Sequence, residues 1–236
     1  MKDTRARALC LGLLICAANA AIAQSISDRP SLDRYIYPLS KPIACPRIVV
    51  DSTDFPQGAA WGDAAKDLIK LWFPTVCQLL ATKDFRTPTQ ITLVLRKHID
   101  APAYTADNTI TVDGEWIAKH PNDLGMVIHE LTHVVQQYPD GEPGWLVEGI
   151  ADYVRWWRYE PDSPRPHLGP KATYHDAYRT TAAFLAWVSY HYDERLVPAL
   201  DNEMRRGRDP MPVFQKLTGK TPQQLWDEMN PPKTSN

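Results

Sequence analysis

Apolar residues recur at Leu124, Val127, Ile128, Leu131, Val134 and Val135, the spacing of one buried helix face. Asn122-Asp123 precedes the run as a cap with an acidic first turn, and Pro139 with the Gly141 to Gly144 loop ends it. A second helix is predicted to begin at Pro143-Gly144-Trp145 and to run through Arg158. Upstream, Arg47 to Asp51 reads as a strand, and Trp61 to Ala81 as a helix disturbed at Pro74. Thr89 to Arg96 alternates and is β-branched, which predicts a strand. Ala101 to Asp113 gives a hairpin around Asp107-Asn108, with Thr109 to Val112 as its second arm. After Asp123 the pattern is nearly all helical. The fold expected is α+β, a small N-terminal sheet followed by a mainly helical C-terminal part.

The ends of the chain differ in character. Residues 1–23 place Lys2, Arg5 and Arg7 before apolar Ala8 to Ala18, then Ala21-Ile22-Ala23 before Gln24. That order is a secretory signal with cleavage after Ala23, and its apolar run is too short to span a bilayer. Ile15 before Cys16 argues against a lipid anchor, so a secreted or periplasmic protein without a stable membrane anchor is expected. Residues 24–46 contain prolines and no periodicity, as in an extended arm. Residues 47–230 suit one domain, and 231–236 form a tail. Cys45 and Cys77 remain after the leader; they pair if the compartment is oxidising, or Cys77 stays a buried thiol in its helix. The net charge is -2, and removing residues 1–23 leaves 23 basic and 27 acidic side chains. No basic patch suggests nucleic acid.

The chemistry lies in the two central helices. His129-Glu130-Leu131-Thr132-His133 puts two imidazoles four residues apart, about 40° around the axis, so both point the same way. A divalent metal can be gripped from one rigid rod, and Glu130 sits beside it as a general base for a water. With 7 histidines in 236 residues, chance produces roughly 0.007 such motifs per chain. A catalytic zinc takes three protein ligands. The long metzincin motif fails, because Gln136 and Pro139 stand where glycine and histidine would be needed. An aspartate ligand would need a Gly-Thr-x-Asp signature, which is absent. Glu148 on the second helix fits, and Asp152 one turn later can accept the outer N–H of a ligating histidine. The plainer reading of Glu148 is a glutamate favoured by the helix N-terminus.

These two blocks carry a family likeness. His129-Glu130-Leu131-Thr132-His133-Val134-Val135-Gln136 and Pro143-Gly144-Trp145-Leu146-Val147-Glu148-Gly149-Ile150-Ala151-Asp152-Tyr153 resemble the plant basic secretory protein family and its bacterial relatives, zinc metallopeptidases. Tyr178 to Trp187 and Leu217 to Trp226 look like that family's later helices, so the resemblance runs from about Ile48 to Met229. It implies a zincin-like fold of gluzincin type, one zinc ion on His129, His133 and Glu148, Glu130 as base, and a peptide or protein substrate. The acidic balance departs from the family's name.

Other roles are expected from position. Tyr178 opens a helix after a proline-containing loop, Glu160 to Thr173, and is the choice for oxyanion donor; Tyr174 and His175 compete with it. Ala103, Tyr104 and Thr105 are expected to hold an extended substrate by strand addition, or else merely cap the sheet. The loop is expected to wall the site or be ornamental, and Trp145, Trp156 and Trp157 to fill core. Two other readings share the metal: an amidase acting on peptidoglycan or a glycopeptide, and an inactive zinc- or carbohydrate-binding module. An intact Glu130 argues against the second.

Overall fold

The computed structural model describes residues 43–80, 85–141 and 143–231. The expected leader, nearly all of the arm over 24–46, Ala81 and the tail beyond Pro231 lie outside the described residues. Strands β1 (Arg47–Asp51), β2 (Gln90–Arg96), β3 (Ala103–Ala106) and β4 (Thr109–Asp113) form one mixed sheet in the order β1-β2-β4-β3. β1 runs parallel to β2 and β2 parallel to β4, with Leu93 opposite Val50 and Ile110. β3 returns antiparallel on β4, pairing Tyr104 with Thr111 and Thr105 with Ile110. β2 has partners on both sides, and Ile91, Leu93, Val94 and Leu95 are all buried, as a central parallel strand requires. The hairpin turns at Asp107, whose φ of 51° is a conformation aspartate tolerates.

The helices are α1 (Ala59–Leu80), α2 (Gly114–Lys119), α3 (Gly125–Gln136), α4 (Gly144–Tyr153), α5 (Tyr178–His191), α6 (Leu196–Arg205), α7 (Met211–Thr218) and α8 (Pro222–Met229). The architecture is thus α+β, a small mixed sheet with several helices. α1 runs through Pro74 without interruption, so the expected disturbance does not break it. Its Ile69, Phe73, Val76 and Leu80 join Leu93, Leu95, Ile110 and Val112 of the sheet and Ile128, Leu131 and Val135 of α3 in one core. α4 does not end at Tyr153; it widens into a π-helical turn over Val154–Tyr159, which the periodicity did not announce. Among the described residues no helix is long and apolar enough to cross a membrane. Cys45 is exposed, Cys77 is buried, and both are free thiols, so the structure does not contain the pairing considered above.

Two local features decide how α3 is held. At its start the cap position falls on Leu124, one residue past the expected Asn122-Asp123, and Asp123 Oδ1 accepts the Met126 N–H at 3.3 Å. The same carboxylate accepts from Arg155 at 2.6 Å and from the Trp116 indole at 3.1 Å. At its end, Gln137 turns left-handed (φ 48°), and Arg205 from α6 donates to the carbonyls of Val135 (2.8 Å) and Gln136 (3.1 Å). A third bond reaches Leu80 O at 3.0 Å, so one guanidinium satisfies the final carbonyls of two helices. α4 meets α5 at Gly149, where a Cβ would lie 2.1 Å from Thr181 Cγ2. Only glycine permits that approach, and it brings the start of α5 over the middle of α3.

Candidate metal centre and its cleft

His129 and Glu130 are buried in α3, where an unpaired polar group is costly. The partners are specific. His129 Nδ1 lies 2.8 Å from Asp152 Oδ1, so the ring donates outward to a carboxylate. His133 Nδ1 lies 2.7 Å from Gln136 Oε1, while Gln136 Nε2 donates to Val147 O at 2.9 Å. The amide is thereby oriented with its oxygen toward the histidine. Both outer nitrogens being donors, both inner nitrogens present lone pairs. Those inner atoms converge: His129 Nε2 is 3.1 Å from His133 Nε2 and 3.1 Å from Glu148 Oε2, and His133 Nε2 is 3.6 Å from the same oxygen.

Three acceptors facing one another need a cation between them. The electrostatics express that need. Burial alone would push His129 down, but hydrogen bonds to Asp152 and Glu148, with the charges of Asp152 and Glu130, hold it up at about 9. Burial would likewise push Glu148 up; the close approach of His129 and His133 holds it down at about 2. The cluster therefore captures a proton readily, and the same lone pairs suit a metal. His129, His133 and Glu148 each offer one ligand atom within 4.8 Å of the others, so this group can hold an ion, and its nitrogen and carboxylate donors fit zinc.

Glu130 does not join this group. Its Oε2 accepts a hydrogen bond from Thr105 Oγ1 at 2.7 Å, and the same hydroxyl lies 3.1 Å from Glu130 O. The Thr105 side chain is thus engaged by Glu130, and Thr105 lines the cleft. Ala103 and Tyr104 line the cleft on the edge strand, with Tyr104 49% exposed. Tyr178 lies over the centre, its ring 6.3 Å from that of His129 and nearly parallel to it. It is 56% exposed, and the charge of Glu148, then burial, raise its pKa, so the phenol keeps its proton. Its rivals point elsewhere: Tyr174 packs on Trp145 and Phe184, and neither it nor His175 lines the cleft.

The cleft encloses about 1120 Å³. No residue of the loop over 160–173 lines it. That loop supports the wall from behind, through Arg165 donating to Trp156 O at 3.0 Å. Trp157 is core as expected, but Trp156 lines the cleft. The π turn accounts for the difference, because its i→i+5 bond, Glu160 N to Arg155 O at 2.8 Å, shifts the helical phase at Trp156. Gln136 was passed over as a non-ligand, although its place three residues after His133 sets it on the same face.

The family described as a peptidase of plants and bacteria matches residues 52–229. The chain belongs to that family. It is the basic secretory protein family that the two motif blocks resemble, and the match spans strands β2 to β4, the metal group and the last helix. No curated protein and no solved structure matched the chain.

Proposed function

We propose that this family member is a secreted zinc peptidase of gluzincin type with a zincin-like fold, hydrolysing peptide bonds in a peptide or protein substrate. One observation carries the reading: three convergent ligand atoms of His129, His133 and Glu148, beside a separate carboxylate oriented by Thr105. His129, His133 and Glu148 would hold one zinc ion, which when bound supplies a Lewis acid for the scissile carbonyl and the attacking water. Asp152 and Gln136 keep both imidazoles in the tautomer that presents Nε2 inward. Glu130 takes a proton from the water as its oxygen bonds to the carbonyl carbon. It then passes the proton to the departing amine nitrogen as the C–N bond breaks, leaving a carboxylic acid and an amine. The Thr105 hydroxyl holds Glu130 Oε2 in place between these transfers. Tyr178 O–H donates to the oxyanion that develops on the carbonyl. The edge strand β3 would add the substrate backbone as a further strand. Export rests on the leader-like residues 1–23.

The test is cleavage of an unstructured protein mixture by zinc-loaded protein lacking residues 1–23, beside its Glu130→Gln variant, read by mass spectrometry. The expected result is new peptide ends in the wild type and a loss of about 10²–10⁴-fold in the variant, with zinc bound equally by both. Equal cleavage by the two proteins would remove Glu130 from the mechanism. Zinc bound by both with no cleavage would turn the reading toward another amide.

A further inference from the structure

We propose that Arg179 forms a carboxylate-binding subsite in the cleft, taking an aspartate or glutamate side chain of the substrate or its C-terminal carboxylate. The proposal rests on the peptidase reading of the site and adds a substrate class to it. The charged groups lining the cleft are nearly all matched. Asp152 and Glu148 face the imidazoles, Glu130 faces Thr105, and Arg155 is paired with Asp123 at 2.6 Å and with Glu160 at 3.3 Å. Among the cations, Arg179 is the exception. It forms no ion pair with a described residue. One amino group donates to Pro164 O, Nη1 donates to no described residue, and the buried Nε has no partner either. An unmatched donor of a charged group is costly, and a ligand carboxylate would supply the acceptor that Nη1 lacks.

The group is also held ready. Its guanidinium lies 4.1 Å over the ring of Trp156, and Arg155 lies 4.1 Å over that ring as well. Stacking fixes the guanidinium plane, and Pro164 fixes one end. A planar cation so restrained loses little freedom when it forks onto a carboxylate. Its place suits recognition near the reaction. Arg179 follows Tyr178, whose ring covers His129, and both line the cleft with Glu130 and Glu148. An extended substrate advances about 3.3 Å per residue, so the recognised carboxylate belongs within a few residues of the scissile bond. Asp107, Asp123, Glu130, Glu148 and Asp152 line the same cleft and repel a carboxylate elsewhere, so the uncompensated cation among the described residues lining the cleft selects where it sits.

The experiment uses matched peptides that differ only in Glu against Gln at each position around the cleaved bond, each made with a free or an amidated C-terminus. Cleavage is measured with the zinc-loaded wild type, Arg179→Gln and Arg179→Lys. Binding of the same peptides is measured by calorimetry on the Glu130→Gln variant. The expected result is a preference of about tenfold or more for the acid, falling to about twofold or less in Arg179→Gln and surviving in part in Arg179→Lys. A preference at one internal position identifies an acidic side chain; a preference for the free terminus identifies the terminal carboxylate. Arg179→Lys keeps an aliphatic stem over Trp156 and serves if Arg179→Gln does not fold. Cleavage without any acid preference, or a preference untouched by both variants, overturns the subsite and leaves the peptidase reading standing. Preferential binding of acids by Glu130→Gln with no wild-type cleavage keeps the subsite and overturns the peptidase reading. Neither cleavage nor preferential binding overturns both.

Discussion

Two buried polar clusters hang on α3, and they are built on opposite plans. At mid-helix, the neutral imidazoles of His129 and His133 and the Glu148 carboxylate bring acceptors together, while Asp152 and Gln136 lock that arrangement from outside. At the C-terminal end, Arg205 supplies its own cation. It pairs with Asp201 at 3.0 Å, caps three helix carbonyls, and shares Asp201 with the Tyr138 hydroxyl at 2.8 Å. The second cluster is matched in charge as folded, Arg205 against Asp201; the first is completed only by a positive charge from outside. Burial and hydrogen bonding alone do not separate a working site from a structural one. The sign of what is missing does.

The comparison breaks most visibly at Arg205. Arg205→Met leaves Asp201 buried without its cation, and the loss expected is about 3–5 kcal/mol of stability, measured by denaturant unfolding with and without zinc. Zinc should raise the stability of wild type and variant by similar amounts, because its proposed ligands belong to the other cluster. The pH dependence has a definite sign. Burial, against the pull of Arg205 and Tyr138, raises the Asp201 carboxyl from 3.8 to about 7, so the folded chain binds this proton more tightly than the unfolded one. That contribution is full below about 3.8 and is lost as pH rises through about 7. Without Arg205 the carboxyl rises further, so the deficit should be larger at about pH 8 than at about pH 5. A deficit independent of pH would mean that Arg205 acts by capping carbonyls alone.

In the first cluster the expected losses are in chemistry and metal binding. Tyr178→Phe should lower turnover by about 10²–10³-fold with zinc affinity unchanged, and undiminished turnover would take the phenol out of the mechanism. Gln136→Leu should weaken zinc about 10–100-fold, by freeing His133 to turn its lone pair away, with little change in metal-free stability. Competition with a chelator reads this directly. Wild-type affinity in Gln136→Leu would show that the helix alone orients His133.

What was legible in the chain follows from how far apart the cooperating residues lie. The His-Glu-x-x-His spacing and the Glu148–Asp152 pair are one-turn relations on single helices, so periodicity exposes them. The strands and the hairpin at Asp107-Asn108 were legible for the same reason, and their boundaries agree within about two residues. Arg205 reaches carbonyls 69, 70 and 125 residues away, and no local pattern marks such a contact. Trp156 turns to the cleft because of a π turn, which shifts helical phase without changing the apolar spacing around it. Arg179 was visible only as one residue of a core-forming block, because its lack of a counterion is a property of the folded cleft.

The smallest effect concerns backbone strain, which distinguishes the two clusters again. Ala177 has φ 62° and ψ -175°, and Tyr178 has φ 45°; the first is a region that only glycine occupies easily. This turn delivers Tyr178 over His129, whereas at the Arg205 cluster the positive-φ residue, Gln137, lies in the ordinary left-handed region (φ 48°, ψ 41°). Ala177→Gly relieves about 1–3 kcal/mol of strain and gives back about 0.4–1 kcal/mol through a freer unfolded chain. A net gain of about 1 kcal/mol should raise the melting temperature by about 2–4 °C. The same change loosens the turn that aims the phenol, so turnover should fall while zinc affinity holds. A rise in stability without loss of turnover would show that α5 itself, packed on Gly149 through Thr181, is enough to place Tyr178. No change in either would show that the neighbouring chain accommodates the turn at no cost.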